Sequence, residues 1–559
     1  MRFVGKEHAA LGDTTGAAVD LGDGIVLTWG QVVAIAGDEY GTVEELEQAV
    51  STPEGKARLR AALEHDGVPG AVTSKLPEPS KDQRSAQEKE FIRLAMENTA
   101  HFPDGGEALA MWAEHHARAI EAAVSAGLAN DAAGISKAYL NEAFGQHFLT
   151  DAFSGGHIRT PRAQIVEWYT SNFAPRIVAP VIANLRSRVV EALVAQANPQ
   201  APWTPEGMIR SKIEKKVQAS IDGLVARVGG MAALTRWVGL GVAGAVSGAM
   251  HDVEGETGVL VASEDHPEPW RAFGDKKLED SPITKEQATK AIAAAKGEVD
   301  TAYRIGEEEG VTREAAAGEP PARVYFAFNS SDLDGPAAKA THDATAYLLY
   351  HSEAAVELVG HTDPIGHDDV NDALGLRRAQ AVEKALVGAG VAPSQLSARS
   401  EGERALLTTD PKRFRLNRRT ELVWHIEPDG RGPDGASPAE LARERARARA
   451  RAELGPPYGK VTRFVPRPVE ERGGSGNAPL PDWHWGKLSS ATRGQVDDWI
   501  RKEVGTKLDG AIASAKELDD VTESGITVRP RDAVKAIVTQ LLANPTATLG
   551  DLVGEAPGP

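Results

Sequence analysis

The stretch "AAVELVGHTDPIGHDDVNDALGLRRAQAVEKALVGAG", Ala354–Gly390, changes its rhythm halfway along. Its opening, "AAVELVGHTD", reads as a strand, and "LRRAQAVEKALVGAG" reads as a helix. Asp363 ends the strand on a turn, which should present its carboxylate rather than bury it. Arg378 lies on the helix that follows. The flanks keep the alternation. "TREAAAGEPPARVYFAFNSSDL" passes from a Pro-bearing linker into a strand. "AAKATHDATAYLLYH" is a helix and "TELVWHIEP" a closing strand. Strand–helix alternation of this kind predicts a small α/β sandwich over residues 323–428, preceded by a linker at 306–322.

These residues resemble the OmpA-like peptidoglycan-binding domain. "VELVGHTDPIGHDDVNDALGLRRAQAVEKAL" follows that family's G-H-T-D … N-x-x-L-S-x-x-R-A pattern, and "RLNRRTELVW" its closing N-R-R strand. The resemblance implies that Asp363 and Arg378 form a minus-and-plus pair for the zwitterionic diaminopimelate of a peptidoglycan stem peptide. A guanidinium can grip the carboxylate of such a ligand in a bidentate way. Thr362, Asn371, Leu374 and Arg419 are then the supporting residues. The competing reading of the pair is a structural salt bridge. The chain departs from the family at Gly375, where Ser is usual. It departs again at Ser400, where Gly is usual, and near Arg404, where Pro is usual.

Residues 1–305 have a different character. Successive helical patterns include "TVEELEQAV", "EALAMWAEHHARAIEAAVSAGL" and "TKEQATKAIAAAKGEVDTAYRIGEEEG". They predict an all-helical domain. Within it, "AFGQHFLTDAFSGGHIRTPR" (Ala143–Arg162) crowds two histidines and an aspartate among apolar residues. On a helix, His147 and Asp151 stand at i and i+4 and face the same way. Gly155 and Gly156 allow a turn that brings His157 back toward them. Such N/O donors suit a borderline-soft divalent ion, with ordinary core histidines as the bland alternative. Further donors are His8, Asp38 (set in an apolar patch, where an acid needs a partner), His101, and His251 with Asp252. His115 and His116 offer more, although a solvated face suits at least one of them.

The order of His8, Asp38, "HF" at His101, "HFLTD" at His147–Asp151 and "GH" at His157 resembles the zinc-dependent phospholipase C and zinc nuclease superfamily. The resemblance implies an all-α, zinc-binding phosphodiester hydrolase in which Asp38 and Asp151 are the catalytic or ligating acids. Arg159 is then a candidate phosphate contact, and Phe148 and Phe153 are candidates to line a lipid-accepting cleft. The family's N-terminal Trp ligand is replaced by Met1. Its His-x-x-x-Glu pair is missing too, with His251 and Asp252 as the substitute.

The chain has 559 residues, a net charge of −18 and no cysteine, so disulfides and thiolate metal sites are excluded. A field of that sign disfavours nucleic acid and favours phospholipid as the hydrolase substrate. The N-terminus lacks the apolar run of a secretory signal. "WVGLGVAGAVSGAM", Trp237–Met250, is too short to span a membrane and predicts a buried helix. Residues 429–480 read as flexible linkers ("PDGRGPDGASP", "ERGGSGNAPLP") around a solvated charged helix, "AELARERARARARAEL". Residues 481–559 read as a small α-helical C-terminal module with Trp483 and Trp485 in its core. The whole predicts a multidomain cell-envelope protein exported by a non-Sec route. Its C-terminal module would dock on a contractile injection or other secretion apparatus. The alternative is a catalytically inactive, wall-anchored scaffold.

Overall fold

The computed structural model describes residues 5–97, 100–102, 107–351, 354–425, 438–455, 460–469, 477–523 and 525–547. The core of "PDGRGPDGASP", the "ERGGSG" of the second linker and Met1 lie outside the described residues. The chain separates into two compact units. One comprises residues 1–116, 140–295 and 460–559, the other 117–139 and 296–459. This division cuts across the segments expected from sequence.

The second unit contains the α/β sandwich. Its four strands lie in the order Arg323–Tyr325, Arg419–His425, Ala355–His361, Leu396–Gly402. The last two pair in parallel, joined by the crossover helix Asp368–Gly388; the other pairs are antiparallel. Inward residues Val324, Val356, Leu358 and Leu422 meet Ala344, Leu348, Ala379, Val382 and Leu386 of the two helices in one apolar core. The crossover helix lies directly on its strand because Gly360 has no side chain, and a Cβ there would overlap the Gly375 carbonyl.

Two departures from the family pattern meet at this crossing. A Cβ at Gly375 would strike the Ser400 hydroxyl and come within 2.9 Å of the Gly360 carbonyl oxygen. The helix therefore carries Gly where the facing strand carries Ser. Gly375→Ser should destabilise this unit by about 1–3 kcal/mol through overpacking, and Ser400→Gly in the same chain should recover much of it. A double-mutant cycle on denaturant midpoints measures the coupling, and simple additivity would refute it.

The expected linker at 306–322 is largely helix. Pro282–Ala316 runs unbroken through Gly310. Gly306 and Gly310 face the end of the helix Glu107–Leu128, and a Cβ at Gly306 would overlap the Val124 carbonyl. The glycines permit close backbone approach here and do not end the helix. The charged helix, Pro438–Leu454, also differs from its solvated reading. Ala442, Ala446 and Ala450 are buried at i, i+4 and i+8 against Ala119, Ala123, Val299 and Ile305. Its arginines pair outward from that seam: Arg445 with Glu309 (2.7 Å) and Arg447 with Glu121 (2.8 Å). Arg304 reaches Glu453 at 2.6 Å. The sequence shows the charges, but the alanine stripe between them does the packing.

The first unit is helical, with three small sheets. Its central helix, Ile135–Asp151, is enclosed on all sides from Leu140 onward. The apolar segment Trp237–Met250 is part of the helix Gly230–Thr257; among the described residues no helix is long and apolar enough to cross a membrane. Residues from the 481–559 module do not form a core of their own. Trp485, Leu488, Val496 and Ile500 share one with Ile165, Phe173, Val242 and Val246. Val528, Val534, Ile537 and Val538 share another with Leu193, Val194, Ile213 and Val217. Arg467–Pro468 adds a third strand to the hairpin of Val259–Ala262 and Trp270–Ala272.

Candidate functional sites

All seven residues expected to hold a metal meet within the first unit. Asp151, at the end of its helix, is their hub. Its Oδ2 accepts from His101 Nδ1 at 2.6 Å and lies 3.4 Å from His147 Nε2. Its Oδ1 lies 3.5 Å from His8 Nε2 and 3.3 Å from His157 Nδ1. Asp38 Oδ2 is 3.2 Å from His147 Nε2, and its Oδ1 is 3.7 Å from His101 Nε2. The His251 ring lies tilted against His157 with ring centroids 4.8 Å apart. Gly156 is required for that approach, since a Cβ there would overlap the His251 ring. His157 sits on a short helix, Gly155–Ile158, rather than on a turn.

The hydrogen bonds behind the rings decide which nitrogens face the cluster. Val33 O can only accept, so His147 Nδ1 donates to it at 2.9 Å and its Nε2 faces the cluster. Thr150 Oγ1 gives its one hydrogen to Gln146 O or His147 O, at 2.9 and 2.8 Å. It therefore accepts from His8 Nδ1 at 2.8 Å, and His8 Nε2 faces the cluster as well. Both Nε2 atoms lie within 3.5 Å of Asp151. His101 Nδ1 also lies 3.0 Å from His147 Nε2. Two buried carboxylates crowded against imidazoles make a donor set suited to a cation. The separations of 3.2–3.5 Å match the roughly 3.3 Å between neighbouring ligands of a tetrahedral ion with bonds near 2.05 Å. The donor set thus fits zinc, and Val33 and Thr150 fix the orientations of the His147 and His8 rings. Burial also holds the His251 pKa well below its usual value, keeping that ring neutral and able to ligate.

A cavity of about 800 Å³ opens beside the cluster. Asp38, His101, His157 and His251 line it, with Phe91, Phe102 and Trp499 among its apolar residues. Asp275, which sequence reading missed, lines it too, 3.9 Å from His251 Nε2. An Asp in "FGDKK" carries only a turn signal, so nothing in the sequence marked it. Asp252 Oδ1 is 3.4 Å from His251 Nδ1.

Three expectations change. Arg159 is held by Glu254 through two bonds of 2.7 and 2.9 Å, whereas Arg162 lines the cavity. Phe148 and Phe153 are core residues. His115 and His116 are both buried, His116 bonding Glu142 at 2.6 Å.

In the sandwich, the six residues Thr362, Asp363, Asn371, Leu374, Arg378 and Arg419 are all buried. Asp363 is 4% exposed, not presented as expected. Its Oδ2 lies 3.2 Å from Arg418 Nη1, and its Oδ1 accepts from Ile365 N at 3.3 Å. Arg378 donates to three carbonyls: Ser330 at 2.9 Å, His361 at 2.8 Å and Ala327 at 3.2 Å. Burial pulls its pKa down to about 10, and the nearby Asp363 carboxylate pulls it back upward. The two charges are therefore neighbours without forming the structural salt bridge. Asn371 Nδ2 donates to Asp363 O at 3.3 Å and to Glu403. Arg419 is directed elsewhere, to Glu421 (3.0 Å) and Ala405 O (3.0 Å). Arg418 takes the place expected for it. The doubled arginine of "NRR" carried that signal, but adjacent residues entering a strand point opposite ways.

His361, beside Arg419, has a pKa lowered to about 4, mainly by burial. The folded value lies below the unfolded 6.5, so the unfolded chain binds more protons between the two. This group's stabilisation is complete above pH 6.5 and is lost as pH falls toward 4. His361→Gln should flatten the decline of urea midpoint across that window. An unchanged slope would refute the assignment.

Residues 325–418 match the model of the OmpA family. The chain is similar to the peptidoglycan-associated lipoprotein of Pseudomonas aeruginosa, 39% identical over 134 residues that make up 23% of this chain and 79% of that protein. It is likewise similar to the peptidoglycan-associated lipoprotein of Pseudomonas putida, 40% identical over 21% of this chain and 71% of that one. Among solved structures, the peptidoglycan-associated lipoprotein from Burkholderia pseudomallei is 31% identical over 20% of this chain and 99% of its own, with a TM-score of 0.19. Through the sandwich that carries Asp363 and Arg378, the chain belongs to the OmpA family.

Proposed function

We propose that this protein binds peptidoglycan in the bacterial cell envelope through its OmpA-like domain and carries a zinc-dependent phosphodiester hydrolase centre. The first half is supported by similarity to proteins named for their association with peptidoglycan, and by the neighbouring charges of Asp363 and Arg378. The second half rests on one observation. Asp151 lies among four imidazoles, two of which turn Nε2 toward it, beside a cavity of substrate size.

His8, Asp38, His101, His147, Asp151, His157 and His251 would hold the metal, with Asp275 as a further acid. Zinc bound there would supply a water acidified toward neutrality and a positive field for the phosphoryl oxygens. Of the two central acids, Asp151 is fully buried and serves as ligand, while Asp38 lines the cavity and is placed to take a proton from water. Phe91 and Phe102 offer an apolar wall, which suits a phospholipid. A secretion-apparatus partner of the C-terminal residues would have to use surface other than Trp485, Val496 and Ile500, which are committed to the core.

Elemental analysis of the purified protein should find zinc. It should hydrolyse bis-p-nitrophenyl phosphate and short-chain phosphatidylcholine, and His147→Ala should do neither. Protein without zinc and without activity defeats this reading. One observation favours the inactive, wall-anchored scaffold in that case: the position four residues after His251 is Gly255, packed against Gly274 where an acid ligand would stand.

A further inference from the structure

The metal cavity has a wall that comes from the far end of the chain. Helix Ser490–Trp499 and the turn after it place Gln495, Trp499 and Lys502 on the cavity whose other side carries His101, His157 and His251. Trp499 lies flat on the helix Gly230–Thr257. A Cβ at Gly241 would overlap its indole ring, and Trp237 lies tilted against it at 5.4 Å between centroids. Gly241 is therefore the vacancy that receives Trp499. The neighbouring cavity surface from this helix is small and apolar: Gly244, Ala245 and Gly248, the last open to the cavity. Trp499 is half-buried, so one face packs and the other remains available.

The imidazole cluster and this indole, over its strip of glycine and alanine, thus border one cavity, with Arg162, Asp252, Gln495 and Lys502 among its other lining residues. A ligand that fills both parts carries an anionic phosphoryl group joined to an apolar body. We infer that Trp499 is the specificity-determining residue of the cavity, contacting the apolar part of an amphiphilic phosphodiester while the metal end receives its phosphoryl group. The inference rests on the metal-centre reading for the phosphoryl half; Trp499's own contact is with the apolar half.

The test is equilibrium binding to the full chain, with and without added zinc, using monomeric dihexanoylphosphatidylcholine and inorganic phosphate as separate probes. Trp499→Ala should weaken lipid binding about tenfold and leave phosphate affinity and zinc content unchanged. Trp499→Phe should retain most of the lipid affinity. Gly241→Ala, which displaces the ring without removing it, should behave as Trp499→Ala does. Equal loss of both probes would mean a structural role and would overturn the inference, as would unchanged lipid affinity. If the wild type takes up no zinc or phosphate yet binds lipid in a Trp499-dependent way, the hydrolase reading fails and the Trp499 assignment stands. If it binds no lipid under either condition, the assignment falls.

Discussion

Asp151→Asn should strip the protein of zinc. The variant should show less than one-hundredth of wild-type metal affinity and no phosphodiester hydrolysis. Removing only an outer partner of a metal ligand typically costs 10–100-fold, and Asp151 faces His8, His101, His147 and His157 at once. The other central acid, Asp38, lies 3.2 Å from His147 and 3.7 Å from His101. Stability gives a second readout. An ion present at about 1,000 times its dissociation constant raises the unfolding free energy by about 4 kcal/mol. Wild-type protein should therefore melt at lower temperature in the presence of chelator, whereas Asp151→Asn should melt alike with and without it. Asn keeps the shape and an acceptor oxygen for His101, so the chelated variant should be no less stable than chelated wild type. A variant that still binds zinc stoichiometrically would remove Asp151 from the centre.

That hub could be read in part from sequence. His147 and Asp151 were legible as a pair because helical spacing is local, and His157 because a glycine pair precedes it. His8, Asp38, His101 and His251 could be named as donors but not brought together by any local pattern, since their proximity depends on how distant helices pack. Asp275 and Trp499 carried no local signal at all. One is a loop acid. The other is an aromatic in a segment that seemed self-contained, because its own tryptophans sufficed to explain a small core. The charged helix misled for the opposite reason: its arginines dominate the composition, and the alanines that pack are weak in any hydrophobic count. In the sandwich, strand, turn and helix were all legible from alternation and periodicity. Burial of Asp363 was not, because the arginine that permits it, Arg418, arrives from a strand some fifty residues later.

That burial sets how the wall-binding site should respond to substitution. Asp363→Ala should lower binding to purified sacculi about 30-fold or more, since losing one member of a desolvated, hydrogen-bonded charge pair costs about 2–5 kcal/mol. Its fold should survive. Asp363 is bonded mainly through one oxygen to Arg418, which is partly exposed and can turn to water. Arg378→Ala should lose at least as much binding, but for two reasons. It removes a cation facing the ligand's carboxylate, and it leaves the Ser330, His361 and Ala327 carbonyls without their donor. Each such buried carbonyl costs about 1–3 kcal/mol, so Arg378→Ala should also melt earlier than Asp363→Ala. Arg378→Lys separates the effects, because an ammonium keeps the charge but cannot span three carbonyls in a plane. It should recover part of the sacculus binding and little of the stability. Arg418→Ala adds the remaining contrast: with its partner gone, the Asp363 carboxylate is free to meet a ligand ammonium. Binding should fall less than in Asp363→Ala. If sacculus pull-down is unchanged in both Asp363→Ala and Arg378→Lys, the pair does not hold the stem peptide. The motif would then serve only to tie the strand end to the loop at 327–330.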